Sequence, residues 1–326
     1  MLVYHNHIVD INTKHCYHFD TKIKSISYYE GNTVAMPRTI NQGFLDFHQK
    51  LTPTSTESES SKRHRTSIEN SLKSNFTLRR FFRSGSFGNG TSISGYSDVD
   101  YFASLSGDVL KQNSAYTLRL IKDVLDKRFP NTGVHISSPA VVVPFGSNPQ
   151  EATEIVPADY MSATDDRQLI YDIPDCNGDW MKSSPDIHGR YVANLNIRLG
   201  YKLKPLIRFI KAWKYYNNVP ISSFYLEMRA AKFCESESSI VYSIDLHNFF
   251  KYLDSTNLAA LYDPTGISGA IVPTFSSLKL IEARSKVNTA LSRANKAREA
   301  EKEEKTSDAF IWWKAIFGDK FPTYYY

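Results

Sequence analysis

Apolar residues recur at helical spacing in three segments of the first half of the chain. In three segments, QGFLDFHQKL, KRHRTSIENSLKSNF and SAYTLRLIKDVLDKRFP, apolar residues recur every three or four positions. That spacing puts them on one face of an α-helix, which can then pack against a core. The apolar positions of the three predicted helices are Phe44, Phe47 and Leu51; Ile68, Leu72 and Phe76; and Leu118, Ile121, Leu125 and Phe129.

Strand patterns lie among these helices. The segments VDYFASL, VHISSPAVVVPF and ATEIVPADYM are rich in β-branched and aromatic residues, and prolines limit the last two. Beyond Pro185 the patterns are helical, as in LKPLIRFIKAWKYYN. We therefore expect an α+β protein of two lobes, with a mixed β-sheet and helices in residues 37–185 and a helical lobe in residues 186–326. Residues 1–36 are an N-terminal extension to which the sequence assigns no role.

Composition narrows the class of protein. Of the 326 residues 41% are hydrophobic, and a net charge of +5 suits a protein that handles polyanionic nucleotides without being a dedicated DNA binder. The cysteines, Cys16, Cys176 and Cys234, are scattered and form no CxxC pair, so neither a zinc site nor a disulfide framework is expected. The polar N-terminus and the lack of a long apolar run indicate a cytoplasmic protein without a membrane span.

The stretch RSGSFGNGTSISGYSDVD, residues 83–100, carries the first candidate chemistry. Glycines let backbone N–H groups approach an anion closely, and Asp98 and Asp100, two apart on a strand, point to the same face. Carboxylates in this arrangement can share hard cations. The stretch is neither a Walker loop nor a dinucleotide fingerprint, and taken alone it could be a structural turn. With the aspartates it predicts a site for a magnesium-bound nucleoside triphosphate.

Phosphoryl transfer with two metal ions requires a third carboxylate. Glu154 is the candidate, on a strand that can lie beside the one bearing Asp98 and Asp100. The alternatives are that Glu154 is an ordinary surface carboxylate, or that Asp159, two positions past Pro157, supplies the third carboxylate instead.

These motifs together resemble a known family. The pattern G-S-x-x-x-G-T, then S-D-x-D, then a carboxylate three residues before a proline, resembles the DNA polymerase β-type nucleotidyltransferase superfamily. The segment LKPLIRFIKAWKYYNNVPISSFYLE is similar to the cGAS/DncV-like nucleotidyltransferases (CD-NTases, the SMODS family). The resemblance runs from about Gln42 to Pro322. It implies a bilobal nucleotidyltransferase fold, with a mixed-sheet catalytic lobe and a C-terminal helical lobe.

The resemblance also implies roles for residues of the first lobe. Gly85 and Ser86 would hold the β- and γ-phosphates of the donor nucleotide. Asp98 and Asp100 would ligate both Mg²⁺ ions, for which Mn²⁺ could substitute. Glu154 would be the third catalytic carboxylate and metal ligand, at a position where the family usually has aspartate. A longer side chain there displaces the group that deprotonates the attacking hydroxyl.

In the helical lobe the resemblance implies nucleotide-binding roles for three residues. Lys211 and Ser223 would contact the triphosphate, and Phe224 would stack on a base. The alternatives are a surface lysine, a helix N-cap and a core phenylalanine, respectively. Asn89 is a departure, because a basic residue often stands at this part of the turn in relatives. Asp263, in DPTG, is expected to fix a turn.

The implied activity is synthesis of a cyclic di- or trinucleotide second messenger from nucleoside triphosphates, in bacterial anti-phage signalling of the CBASS type. One alternative is a linear nucleotidyltransferase that acts on RNA or protein, and another is a non-catalytic nucleotide-binding module. The implied partners are the nucleoside triphosphates, a regulatory protein, and an effector that the messenger activates. Activation by nucleic acid is not expected, since the basic run KRHR is short.

Overall fold

A mixed β-sheet forms the centre of the first half of the protein. In this computed structural model, residues 38–325 are described apart from 54, 97–98, 108, 111, 146–151, 164–168 and 176, with residues 55–61 described by their backbone only. The predicted extension, residues 1–36, lies outside the described residues. The strands are β1 (Leu78–Arg83), β2 (Val99–Leu105), β3 (His135–Ser137), β4 (Ala140–Pro144), β5 (Ala152–Ala163), β6 (Leu169–Pro174) and β7 (Trp180–Ser183).

The strands pair in the order β1-β2-β5-β4-β3, and β6 and β7 extend the sheet from the far end of β5. Strands β2 and β5 are parallel, whereas the other pairs are antiparallel. Side chains alternate between the faces of a sheet, so Val99, Tyr101 and Ile155 pack in the core on one face, while Phe102 and Val156 pack in a smaller cluster on the other. Asp100 and Glu154 belong to this second face.

The helices are α1 (Ile40–Leu51), α2 (Ser55–Asn75), α3 (Gly85–Asn89), α4 (Ser114–Arg128), α5 (Pro185–Arg198), α6 (Leu203–Tyr216), α7 (Ser223–Phe233), α8 (Tyr242–Ser255), α9 (Ser277–Lys302) and α10 (Thr306–Phe317). Helices α2 and α4 contribute Ile68, Leu72 and Ile121 to the core on the first face of the sheet. A small hairpin, β8 (Leu261–Tyr262) and β9 (Ala270–Ile271), interrupts the helical half. The predicted α+β class is confirmed.

Helix α1 packs in the core of the helical half, although its sequence position assigned it to the first lobe. Its Phe44 ring lies 5.2 Å from those of Phe209 and Trp313, and its Phe47 ring lies 4.9 Å from that of Phe317. The apolar spacing predicted a buried face correctly, but the face is buried against helices rather than the sheet. Within the described ranges, none of the helices is both long and apolar enough to cross a membrane.

Candidate active site

Asp100 and Glu154 lie opposite each other on adjacent strands. They are register partners of the parallel pair β2 and β5, so their side chains project from the same face of the sheet. Both residues are partly exposed, in contrast to their buried neighbours along each strand. The predicted adjacency of the two strands is confirmed. Two carboxylates on one face supply the oxygen ligands that hard divalent cations prefer.

Asp98 lies outside the described residues. Within the described part of the chain, no three His, Cys, Asp or Glu side chains are grouped in a way that could hold a metal ion. The donor set that the structure does bring together, a pair of carboxylates, fits Mg²⁺ chemically.

The glycine turn packs directly against Asp100. Gly85 begins α3 with φ of +55°, and a Cβ atom on Gly85 would lie only 1.9 Å from Asp100 Oδ2. Backbone conformation and contact therefore both require glycine here. The Ser84 N–H donates to the Asp100 carbonyl at 2.8 Å, which joins the turn to β2. Ser86 follows Gly85 in the first turn of α3, so the pair predicted to hold phosphate begins at the residue that lies against the Asp100 carboxylate.

Asp159 does not belong to this cluster. It lies five residues beyond Glu154 on β5, about 16 Å further along the strand and on the opposite face. Its register partner on β6 is Asp172. Burial raises the pKa of Asp159, the nearby Asp172 adds to the rise, and Arg79 opposes it. The alternative that Asp159 replaces Glu154 is wrong, because strand geometry separates it from Asp100.

Lys211 is where the structure departs most from the predicted site. Its side chain is 1% exposed, and its ammonium forms an ion pair with Glu227 and donates to Thr91 Oγ1 at 3.0 Å. An ammonium enclosed in this way is not presented to a triphosphate. Lys211 lies four residues, about one helical turn, after the buried Ile207, so it is on the inward side of α6.

Lys214, one turn further along α6, is the lysine that contacts Ser223. Its Nζ donates to Ser223 Oγ at 2.6 Å, and the Tyr215 hydroxyl lies 3.2 Å from the same oxygen. The N-cap of α7 is Ser222, whose side chain accepts from the Tyr225 N–H, so Ser223 does not serve as the cap. The Tyr96 ring, in the stretch that leads to Asp98, lies 5.7 Å from the Tyr215 ring.

Phe224 is 39% exposed, so it is not a core residue. Its ring makes a T-shaped contact with the buried His188 ring, with centroids 5.1 Å apart. His188 Nε2 lies 2.8 Å from Asp263 Oδ2, and Asp263 also accepts hydrogen bonds from its own turn, including one from the Ser268 N–H at 2.8 Å. Burial tends to raise the pKa of Asp263, but the hydrogen bonds from His188 and the turn outweigh it and hold this pKa well below its usual value. The prediction that Asp263 fixes a turn is confirmed.

Comparison with known proteins finds a family match in the first half of the chain. The family model of the Second Messenger Oligonucleotide or Dinucleotide Synthetase domain (SMODS) matches residues 38–196, which contain the glycine turn and both carboxylates. Over these residues, just under half of the chain, the protein matches the SMODS family.

Two curated relatives carry names that describe their activities. A probable cyclic nucleotide synthase of Bacillus cereus (strain VD146) is 26% identical over 233 residues, which is 70% of this chain and 69% of the relative. A cyclic AMP-AMP-AMP synthase of Escherichia coli (strain MS 115-1) is 27% identical over 211 residues, or 61% of this chain and 65% of the relative.

Solved CD-NTase structures share the bilobal fold. CdnC of Escherichia coli MS115-1 with ATP has a TM-score of 0.66 at 21% identity and covers 86% of this chain and 98% of its own. Vibrio cholerae DncV, a cyclic AMP-GMP synthase in complex with a linear intermediate, has a TM-score of 0.67 at 13% identity, with coverages of 89% and 98%. At these identities the structural likeness supports the fold, and the family match together with the two named synthases supports a nucleotidyltransferase.

Sequence reasoning missed three residues around the candidate site, Thr91, Lys214 and Glu227, and it noted Asn89 without its bond to Glu227. The pattern held one signal for Lys214. Lys211 is flanked in IKAW by residues that are all buried, whereas Lys214 begins the more polar end of the helix, where lysine is expected at the surface. Glu227 gave no local signal, because its partners come from distant parts of the sequence.

Proposed function

We propose that this protein is a cyclic oligonucleotide synthase that joins nucleoside triphosphates. In each step a ribose hydroxyl oxygen bonds to an α-phosphorus, the bond from that phosphorus to the pyrophosphate breaks, and the hydroxyl proton leaves. The register of Asp100 with Glu154, beside the glycine turn at Gly85, is the observation that carries the proposal. The named activities of the two curated relatives support it.

The family generally uses a divalent metal ion, and we propose Mg²⁺, with Mn²⁺ as a substitute. Asp100 and Glu154 would hold it, together with Asp98 from outside the described residues. Bound there, the metal ion would offset phosphate charge and lower the pKa of the attacking hydroxyl. The Glu154 carboxylate would also accept the proton of the attacking hydroxyl. Its side chain is one methylene longer than the aspartate that is usual in the family.

We assign the triphosphate to Gly85 and Ser86 on one side and to Lys214 and Ser223 on the other. Lys214 replaces Lys211 in this assignment because its ammonium is already bonded to Ser223 Oγ, at the side chain proposed for phosphate contact. A lysine ammonium is a mobile point charge that can move from a serine to a phosphate. Phe224, exposed and braced by His188, offers the aromatic face on which a base would stack.

We propose two lobes, residues 37–185 and 186–326, except that α1 packs with the second, and we place the substrate between the sheet and α6–α7. The nucleoside triphosphate substrates favour action in the cytoplasm. A regulatory protein partner is a further proposal, to which the complex of Escherichia coli CdnC with a HORMA protein adds support. The product would act in anti-phage defence by activating a separate effector.

The test is product analysis. The purified protein is incubated with Mg²⁺ and the four ribonucleoside triphosphates, and the products are treated with phosphatase and separated. A phosphatase-resistant oligonucleotide is the expected result. Linear oligomers that phosphatase shortens would instead support the linear nucleotidyltransferase. Nucleotide transferred to added RNA or to the protein itself would identify the acceptor of that reaction.

A further inference from the structure

A buried ionic cluster joins the glycine turn to two helices of the helical half. Its centre is the ion pair between Lys211 of α6 and Glu227 of α7. Thr91, just after the turn, donates from Oγ1 to Glu227 Oε2 at 2.7 Å and accepts from Lys211 at 3.0 Å. Asn89, at the end of α3, donates from Nδ2 to Glu227 Oε1 at 2.8 Å. Both oxygens of one carboxylate are therefore bonded to the turn.

The centre of the cluster, formed by Thr91, Lys211 and Glu227, is buried. Thr91 is fully buried, and Lys211 and Glu227 are 1% and 3% exposed. Burial would raise the pKa of Glu227, but the charge of Lys211 and the hydrogen bonds from Lys211, Thr91 and Asn89 outweigh burial and lower it, so the carboxylate is ionised. A buried ion pair adds little net stability, because desolvation offsets the attraction. The main effect of the ion pair is therefore positional, because its directional hydrogen bonds hold Asn89 and Thr91 in place.

Short backbone links connect the cluster to the candidate site. The Thr91 N–H donates to the Ser86 carbonyl at 2.8 Å, and the Gly88 N–H donates to the Ser84 carbonyl at 3.0 Å. Ser84 in turn is bonded to Asp100, and Gly85 lies against the Asp100 carboxylate. A shift of Thr91 therefore moves the backbone proposed to hold the phosphates.

Helix α5 limits movement of the turn from another side. A Cβ atom on Gly189 would lie 2.8 Å from Asn89 Oδ1, so the turn and this helix are in close contact. The departure at position 89 then has a physical reason. A neutral amide donates to Glu227 without adding a second positive charge beside Lys211.

We propose that Thr91 and Asn89 are positioning residues. Their hydrogen bonds to the Lys211–Glu227 pair anchor the glycine turn, and this holds Gly85 and Ser86 in place for the donor triphosphate. Lys211 acts in this cluster and does not bind phosphate. The inference rests on the proposed function, because it assumes that the turn receives a nucleoside triphosphate.

The test compares Thr91→Val with Thr91→Ser. Valine keeps the shape of threonine but removes both hydrogen bonds, whereas serine keeps the hydroxyl. We expect Thr91→Val to raise the KM for ATP, and the Kd of a non-hydrolysable ATP analogue with Mg²⁺, by about 10-fold, the effect of losing a hydrogen bond to a charged group. Thr91→Ser is expected to stay within about 2-fold of wild type on the same scale.

Two further variants keep the inference open to refutation. Thr289→Val removes a hydroxyl that donates to a backbone carbonyl on the distant α9, and it should change neither constant. Asn89→Ala alters a partly exposed residue, so it tests the second anchor should Thr91→Val fold poorly, and we expect a KM and Kd about 3-fold higher. Equal nucleotide Kd values in wild type, Thr91→Val and Asn89→Ala would overturn the inference.

Binding and turnover separate the two proposals. If wild type forms product while Thr91→Val and Asn89→Ala bind the analogue as wild type does, the inference fails and the proposed function stands. If wild type binds the analogue but forms no oligonucleotide, and Thr91→Val binds it more weakly, the proposed function fails and the positioning role stands.

Discussion

Asp100 and Glu154 are register partners across the parallel pair of strands β2 and β5. The relationship depends on backbone hydrogen bonding, so the backbone positions of the two residues are fixed by the sheet rather than by flexible loops. Gly85, just after the end of β1, lies against the Asp100 carboxylate. The candidate site therefore rests on a rigid frame, which suits a reaction that depends on positioning charge around a phosphate.

Gly85→Ala is expected to reduce product formation at least about 100-fold, because the new methyl group would overlap Asp100 Oδ2 at 1.9 Å and force the carboxylate or the turn to move. Gly133→Ala is the matched control. Gly133 also has a positive φ, +77°, but open space around it, so alanine there should cost about 1 kcal/mol of stability and leave activity intact. Equal activity in the two variants would argue against the contact as the cause.

Lys211 and Lys214 are expected to respond differently to the same substitution. Lys211→Met leaves the Glu227 carboxylate buried without its partner, which should lower the free energy of unfolding by about 3 to 5 kcal/mol. Lys214→Met removes a partly exposed cation, and should raise the KM for ATP about 10-fold with little loss of stability. Urea unfolding and steady-state kinetics measure the two effects. An unchanged KM in Lys214→Met would contradict its assignment to the triphosphate.

His48 gives the protein a pH dependence that can be assigned to one side chain. Its Nε2 accepts a hydrogen bond from Arg208 Nη1 at 2.7 Å, while Arg208 Nε donates to the Ser92 carbonyl at 3.0 Å. Burial, with the charge of Arg208 in addition, lowers the pKa of His48 to about 4. The unfolded chain then binds a proton near pH 6.5 that the folded protein excludes. This contribution to stability is complete above that pH and is lost as pH falls towards 4.

The measurement is urea unfolding of wild type and His48→Gln at pH 7.5 and pH 4.5. Glutamine can accept the bond from Arg208 but does not titrate in this range. We expect wild type to lose about 1 to 3 kcal/mol more than His48→Gln between the two pH values, since partial exposure weakens the effect. Identical losses would show that His48 does not exclude the proton.

The carboxylates and the glycine turn were predictable from sequence because their arrangement is local or follows directly from strand pairing. The D-x-D spacing fixes a common face, and Glu154 stands at the start of a strand with strong β-propensity. The resemblance to the CD-NTases placed these motifs in a two-lobed fold, and the family match and the sheet bear that out.

Contacts between distant segments were beyond sequence reasoning. Lys211 and Lys214 lie one turn apart on α6, and the structure shows that Lys211 is held on the inward side by Glu227 and Thr91. Helix α1 illustrates the same limit. Its apolar stripe predicts a buried face, but its aromatic partners are on α6 and α10, more than a hundred residues away.

The most direct test of the central claim compares Asp100→Asn, Glu154→Gln and Asp159→Asn with wild type in Mg²⁺ and the four ribonucleoside triphosphates. We predict that wild type and Asp159→Asn form the same phosphatase-resistant oligonucleotide, and that Asp100→Asn and Glu154→Gln form it at least about 1000-fold more slowly. Wild-type rates in Asp100→Asn or Glu154→Gln, or loss of product in Asp159→Asn alone, would contradict the assignment of the reaction to the β2–β5 carboxylates.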